Sequence, residues 1–159
     1  MNKSFFLLFV ITLFLGACTS TKEAFSSNSK SIIKPKNVVD NALKYLGTRY
    51  RYGGTSDKGM DCSGLVTTAF KEQNITLPRS SRDMAKAGKE VTIENAKKGD
   101  IVFFVIRNRK KIIDHVGLIT SVKKGEVQFI HSTTMRGVII SSMYENIWKN
   151  TFVKAVTLF

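Results

Sequence analysis

The amino-acid sequence predicts an α+β domain, with N-terminal helices packed on a C-terminal antiparallel β-sheet. Three observations predict it. Apolar residues recur at helical spacing in the region after residue 37. The second half consists of β-branched and aromatic runs separated by short turn-like stretches. Helices come first and strands second rather than alternating, which argues against a parallel α/β sheet. The chain has 159 residues, 43% of them hydrophobic and 23% charged, which suits one globular domain of ordinary size.

Each element follows from its own pattern. Val38, Val39, Ala42, Leu43 and Leu46 form one helical stripe, and Gly47 stops it. Residues 48–59, TRYRYGGTSDKG, read as a loop rich in glycine and aspartate. A second helix is expected from Cys62 to about Gln73, with Leu65, Val66, Ala69 and Phe70 inward. Pro78, Ser80 and Ser81 mark a third helix start, with Ser81 as cap and an end near Gly88. Strands are expected at 100–106, 115–122, 126–132, 137–141 and 152–159. The turns NRKK, KKG and MRG separate the first four.

Residues 1–17 are expected to be an export leader. Lys3 precedes an apolar run over 5–15, and Gly16 and Ala17 supply small residues at a cleavage point. The run is too short to span a membrane as a helix. Its ending, LGAC, resembles the bacterial lipobox, which implies cleavage before Cys18 and lipidation of its sulfur. Residues 18–36 are rich in Ser, Thr, Lys and Asn, and read as a flexible tether. A coil of that length reaches roughly 25 Å. The expected organisation is therefore leader 1–17, tether 18–36 and one domain over 37–159. The expected location is that of an exported, membrane-anchored bacterial lipoprotein facing the periplasm or cell wall.

The charge is lopsided, with 25 Lys+Arg against 12 Asp+Glu, formally +13. An anionic partner or surface is one reading and a solvated basic face is the other. The basic residues come in ones and twos, and no nucleic-acid-binding signature accompanies them, so nucleic acid is not expected as a partner. No long amphipathic or heptad pattern is left over, so a monomer is expected.

Cys62, in GMDCSGLV, is the residue whose role needs deciding. It is one of only two cysteines. If Cys18 carries lipid, Cys62 has no disulfide partner within the chain. No second cysteine or nearby histidine sits at zinc spacing, so no metal and no cofactor are expected. Packing and nucleophile remain. At a helix start, the dipole and free amides are expected to lower the thiol's pKa. Gly64 leaves room for something to approach that helix start closely. A cysteine nucleophile also needs a base and a group to orient it.

The chain has two histidines, His115 and His131, in neighbouring expected strands. A three-residue loop, Lys123-Lys124-Gly125, would set Val122 opposite Glu126 and His115 opposite Thr133. Both histidines would then share a face. A two-residue loop, Lys124-Gly125, would put them on opposite faces. The glycine placement favours the three-residue loop. Cysteine and both histidines together make a nucleophile, a base and an orienter conceivable.

The order YRYGG, DCSGLV, LPRSS, KKGDIVFF, HVGLI, FIHS and GVIISSMYENIWKN resembles the NlpC-type cell-wall cysteine peptidases, a papain-like family. The resemblance runs from about residue 38 to the C-terminus. It implies Cys62 as nucleophile, His115 as general base and acid, and His131 as the orienting third residue. It implies that Tyr50, with the Cys62 amide, stabilises the oxyanion. Asp61, Ser63 and Arg79 would hold substrate, with a structural ion pair as the other reading for Arg79. The implied substrate is the stem peptide of peptidoglycan, either at the D-alanyl–diaminopimelate cross-link or at the γ-D-glutamyl–diaminopimelate bond; the rival reading is a non-catalytic wall-binding lipoprotein of the same fold. The spacing from His115 to His131 is longer than the family's usual one. A hairpin longer by two residues in each arm would absorb the difference.

Overall fold

A computed structural model describes residues 34–107 and 111–159. The expected leader, Cys18 and nearly all of the tether lie outside those residues, as does most of the NRKK turn. The first helix, α1 (Pro35–Leu43), carries proline at its first turn, where no amide partner is lost. It buries Val38, Val39 and Ala42, and it begins two residues inside the stretch read as tether. It also ends before Leu46, which is half exposed beside the positive-φ Gly47. The loop 48–59 is partly ordered into a hairpin of β1 (Thr55–Ser56) and β2 (Gly59–Met60).

Helix α2 (Cys62–Lys71) buries all four residues expected to point inward. Helix α3 (Ser81–Met84) is a single turn. Its cap is Ser80, whose hydroxyl accepts from the Asp83 amide at 3.1 Å, and not Ser81 as expected. The expected continuation to Gly88 fails because the chain leaves the helix for β3 (Lys89–Val91), which pairs with the C-terminal strand.

The remaining strands are β4 (Ile101–Phe104), β5 (His115–Lys123), β6 (Glu126–Thr133), β7 (Gly137–Ser142) and β8 (Phe152–Thr157). A short helix, α4 (Asn146–Thr151), precedes β8. The sheet order is β3-β8-β4-β5-β6-β7, and every neighbouring pair is antiparallel. The α+β expectation holds. Neither β3 nor α4 was expected: β3 has one apolar residue, and α4 buries only Trp148.

The sheet separates two apolar clusters. Ile101, Phe103, Val116, Leu118 and Ile130 pack with Val39, Leu65 and Phe70 of the helices. Val102, Phe104, Ile119 and Phe129 pack on the other side with Trp148 of α4. Residues 101–104 alternate between the clusters, as a strand buried on both faces requires.

The β5–β6 hairpin corrects one expectation and keeps its consequence. Lys123 pairs with Glu126, so the loop is the two-residue Lys124-Gly125. Both residues have positive φ, 50° and 82°, as a type I′ turn demands. That register alone would separate the histidines. The pairing then slips by one between Ile119 and Ser121. Thr120 is the extra residue, and its hydroxyl donates to the Gln128 carbonyl at 3.1 Å. Beyond this bulge Leu118 faces Ile130, the alignment that brings the histidines back to one face.

Candidate active site

Cys62 is the first residue of α2, and Asp61 is the N-cap. Asp61 accepts from the Gly64 amide at 2.7 Å and from the Gly53 amide at 2.8 Å. The first bond starts the helix and the second ties the preceding loop to it. An aspartate just before an apolar helical run is a cap signal in the sequence, although it was read there only as a substrate group. Gly64 is required by a close approach: a Cβ there would lie 2.0 Å from the Gly54 carbonyl oxygen. Ser132 of β6 donates to the Met60 carbonyl at 2.7 Å, which ties β2, two residues before Cys62, to the strand that carries His131.

The two imidazoles meet. Nε2 of His115 and Nδ1 of His131 are 2.9 Å apart, with rings nearly perpendicular. Nε2 of His131 lies 3.0 Å from Oγ of Ser141 on β7. Nδ1 of His115 is therefore the nitrogen left for the cleft. Trp148 stacks on His115 at 5.5 Å and meets His131 edge-on at 4.6 Å. Phe129 also packs on His131, with centroids 4.8 Å apart. The longer hairpin does not part the pair.

Burial pushes His115 down to about 4, with the Asp114 carboxylate opposing and Arg107 assisting. His131 is lowered too, by burial first and then by the charges of His115 and Arg136. Both rings are neutral at neutral pH, so His115 is ready to accept a proton.

The thiol departs from expectation. Burial pushes Cys62 up, and the Asp61 carboxylate adds to the rise. The amides of Val116, Ser63 and Cys62 itself act in the opposite sense but do not prevail. The helix start does not leave a ready thiolate, because the sulfur is desolvated and has a carboxylate beside it. At rest the Cys62 thiol and the His115 imidazole are both neutral, so a thiolate would form only by loss of the thiol proton.

Cys62, His115, Tyr50, Trp148, Arg107 and Arg136 contribute to the lining of a cleft of about 450 Å³. Burial raises the Tyr50 phenol, and the nearby Cys62 and Asp61 charges raise it further. The phenol stays protonated and can donate. Arg107 reaches across the mouth to the Thr134 hydroxyl at 3.1 Å.

Asp61, Ser63 and Arg79 are brought together, but chiefly with one another. Arg79 Nη2 donates to Asp61 at 2.7 Å and Nη1 to the Ser63 hydroxyl at 2.6 Å. Burial favours the neutral carboxyl of Asp61, yet Arg79 and the two amides hold it below the usual carboxylate range. None of the three lines the cleft beside Cys62. The ion-pair reading of Arg79 is the one its contacts display. Sequence reasoning missed Ser141, Ser132 and Trp148. The first two are ordinary serines in strands with no local signal. The single tryptophan of the chain was the one clue to a large buried aromatic.

The NlpC/P60 family matches residues 47–157. The chain is similar to a protein named murein DD-endopeptidase MepS/murein LD-carboxypeptidase from Escherichia coli (strain K12). The two are 36% identical over 146 residues, which span 89% of this chain and 74% of that one. It is 35% identical over 155 residues to a gamma-DL-glutamyl hydrolase from Bacillus subtilis (strain 168), covering 96% of this chain and 36% of the relative. The fold matches the crystal structure of an NlpC/P60 family protein from Bacillus cereus ATCC 10987 with a TM-score of 0.71 and 29% identity. That match covers 79% of this chain and 40% of the other.

Proposed function

This chain belongs to the NlpC/P60 family, and on that premise we propose that it is a peptidoglycan endopeptidase working through a cysteine nucleophile. The observation that carries the reading is the contact of two neutral, buried histidines, one of which, His115, lines the cleft together with Cys62. Cys62 gives its proton to Nδ1 of His115, and the electron pair left on sulfur attacks a stem-peptide carbonyl. The Tyr50 hydroxyl and the Cys62 amide receive the developing oxyanion. His115 then returns the proton to the leaving amine, and water hydrolyses the thioester. His131 orients His115. The Asp61–Arg79–Ser63 cluster sets the position of the nucleophile's helix, and the exposed part of Arg79 remains open to substrate outside the cleft.

The reading extends to location. The LGAC ending supports lipidation at Cys18, with residues 18–34 tethering the domain to a membrane facing the wall. The net charge of +13 suits a wall polymer that carries carboxylates. The likeness to the MepS protein favours the D-alanyl–diaminopimelate cross-link. The likeness to the gamma-DL-glutamyl hydrolase supports a γ-D-glutamyl bond as the second reading.

The test is digestion of purified sacculi with mass analysis of the products. Wild-type protein is expected to release stem-peptide fragments, and Cys62→Ala to release none while keeping its fold. Release by the alanine variant at the wild-type rate would sink the proposal. Fragment masses separate the two bonds, and release of whole stems from muramic acid would point to an amidase instead.

A further inference from the structure

Two neutral imidazoles in contact leave one proton between them. Either Nε2 of His115 carries it and His131 accepts, or Nδ1 of His131 carries it and His115 accepts. Only the first arrangement leaves a lone pair on Nδ1 of His115, the nitrogen free to face the cleft. The second leaves a proton there, and His115 cannot take another from the thiol. A tautomer choice at His131 therefore decides whether the base works.

Among the described residues, the nitrogen of His131 that does not meet His115 has one partner, Oγ of Ser141 at 3.0 Å. His131 is fully buried and Ser141 is 4% exposed, so water does not substitute for that partner. Ser141 faces Phe129 across the β6–β7 ladder, and His131 faces Ile139. Phe129 and Trp148 hold the His131 ring in place.

We propose that Ser141 is a positioning residue whose hydroxyl accepts a hydrogen bond from Nε2–H of His131 and so supports the tautomer that catalysis needs once His115 becomes charged. This rests on the function proposed above. When the S–H bond of Cys62 breaks, its proton bonds to Nδ1 of His115 and the electron pair stays on sulfur. His115 then carries hydrogen on both nitrogens, so its Nε2–H has to donate to His131. His131 accepts at Nδ1 and keeps its single proton on Nε2, which must donate in turn. Oγ of Ser141 is the acceptor within reach. No proton travels along the relay; the ordered dipoles stabilise the positive charge on His115. Without Oγ, the buried Nε2–H is left unpaired in the charged state, the situation in which an unmade hydrogen bond is most costly.

The experiment combines two measurements. The imidazole tautomers are read by long-range ¹⁵N–¹H correlation on the wild-type protein at neutral pH. With only two histidines the spectrum is unambiguous once one is assigned. Protons on Nε2 of both rings are expected. A proton on Nδ1 of His115 would overturn the proposal, whether or not any variant folds. Turnover of a soluble muropeptide by Ser141→Ala is expected to drop about ten- to a hundredfold in kcat, with KM little changed. Ser141→Thr, which keeps the hydroxyl, is expected to recover to within about threefold. An alanine variant with wild-type kcat would also overturn the proposal. The tautomers are read without substrate. If they are as assigned and the wild type is inactive on peptidoglycan, the relay stands and the peptidase reading falls.

Discussion

Removing the indole of Trp148 should move the acid limit of activity upward by as much as about 2.5 pH units. His115 sits at about 4 rather than 6.5 mainly because it is buried, and Trp148 is the ring stacked on it at 5.5 Å while also lining the cleft. With the base at about 4, roughly 90% of it is neutral at pH 5; at an ordinary 6.5, only about 3% would be. Trp148→Ala admits water to both rings, so kcat/KM at pH 5 should fall up to about thirtyfold relative to pH 8, where either form is neutral. The same change leaves a cavity against Phe104 and Phe129, at a stability cost of about 3–5 kcal/mol. Folding is therefore checked by circular dichroism before each assay, and Trp148→Phe serves as the milder variant with a smaller shift. The assay is muropeptide turnover from pH 4 to 8. A wild-type acid limb near 6.5, or a folded Trp148→Ala protein with an unmoved limb, would refute the claim that burial keeps the base neutral.

Two further outcomes test the helix start. Gly64→Ala sets a methyl 2.0 Å from the Gly54 carbonyl oxygen, a backbone atom that cannot swing aside. It should cost about 1–3 kcal/mol by urea unfolding, against the gain of up to about 1 kcal/mol that the same change brings in an open helix. Asp61→Asn removes the carboxylate that helps raise the Cys62 thiol, so that thiol should ionise at lower pH. The pH dependence of alkylation by iodoacetamide reads this directly, and an upward shift would contradict it.

Much of the architecture is legible in the chain because it depends on neighbours in sequence. The inward faces of α1 and α2 follow from helical spacing, and the five long strands follow from apolar runs between turns. The place of Cys62 at the start of α2 is marked by Asp61 and Gly64. Short elements are less legible. β3 has one apolar residue and forms because β8 offers it a paired edge, and α4 exists to seat Trp148. The Ser81 cap missed by one residue, as helix ends defined by a single hydroxyl easily do.

The shared face of His115 and His131 shows where sequence reasoning reaches its limit. The Lys124-Gly125 turn, taken alone, would have parted the two rings, and the bulge at Thr120 restores them. A one-residue slip inside a strand has no sequence signature, since it is set by how β4 and β6 flank β5. The sign of the Cys62 shift is of the same kind. A helix start favours a thiolate, but desolvation by the surrounding core opposes it and prevails. The Ser141 and Trp148 contacts likewise exist only once β7 and α4 are packed around the histidines. Residue types and local periodicity determined the fold class and singled out Cys62, His115 and His131. The protonation of those groups was decided by tertiary structure, because desolvation and hydrogen-bond direction depend on atoms distant in sequence.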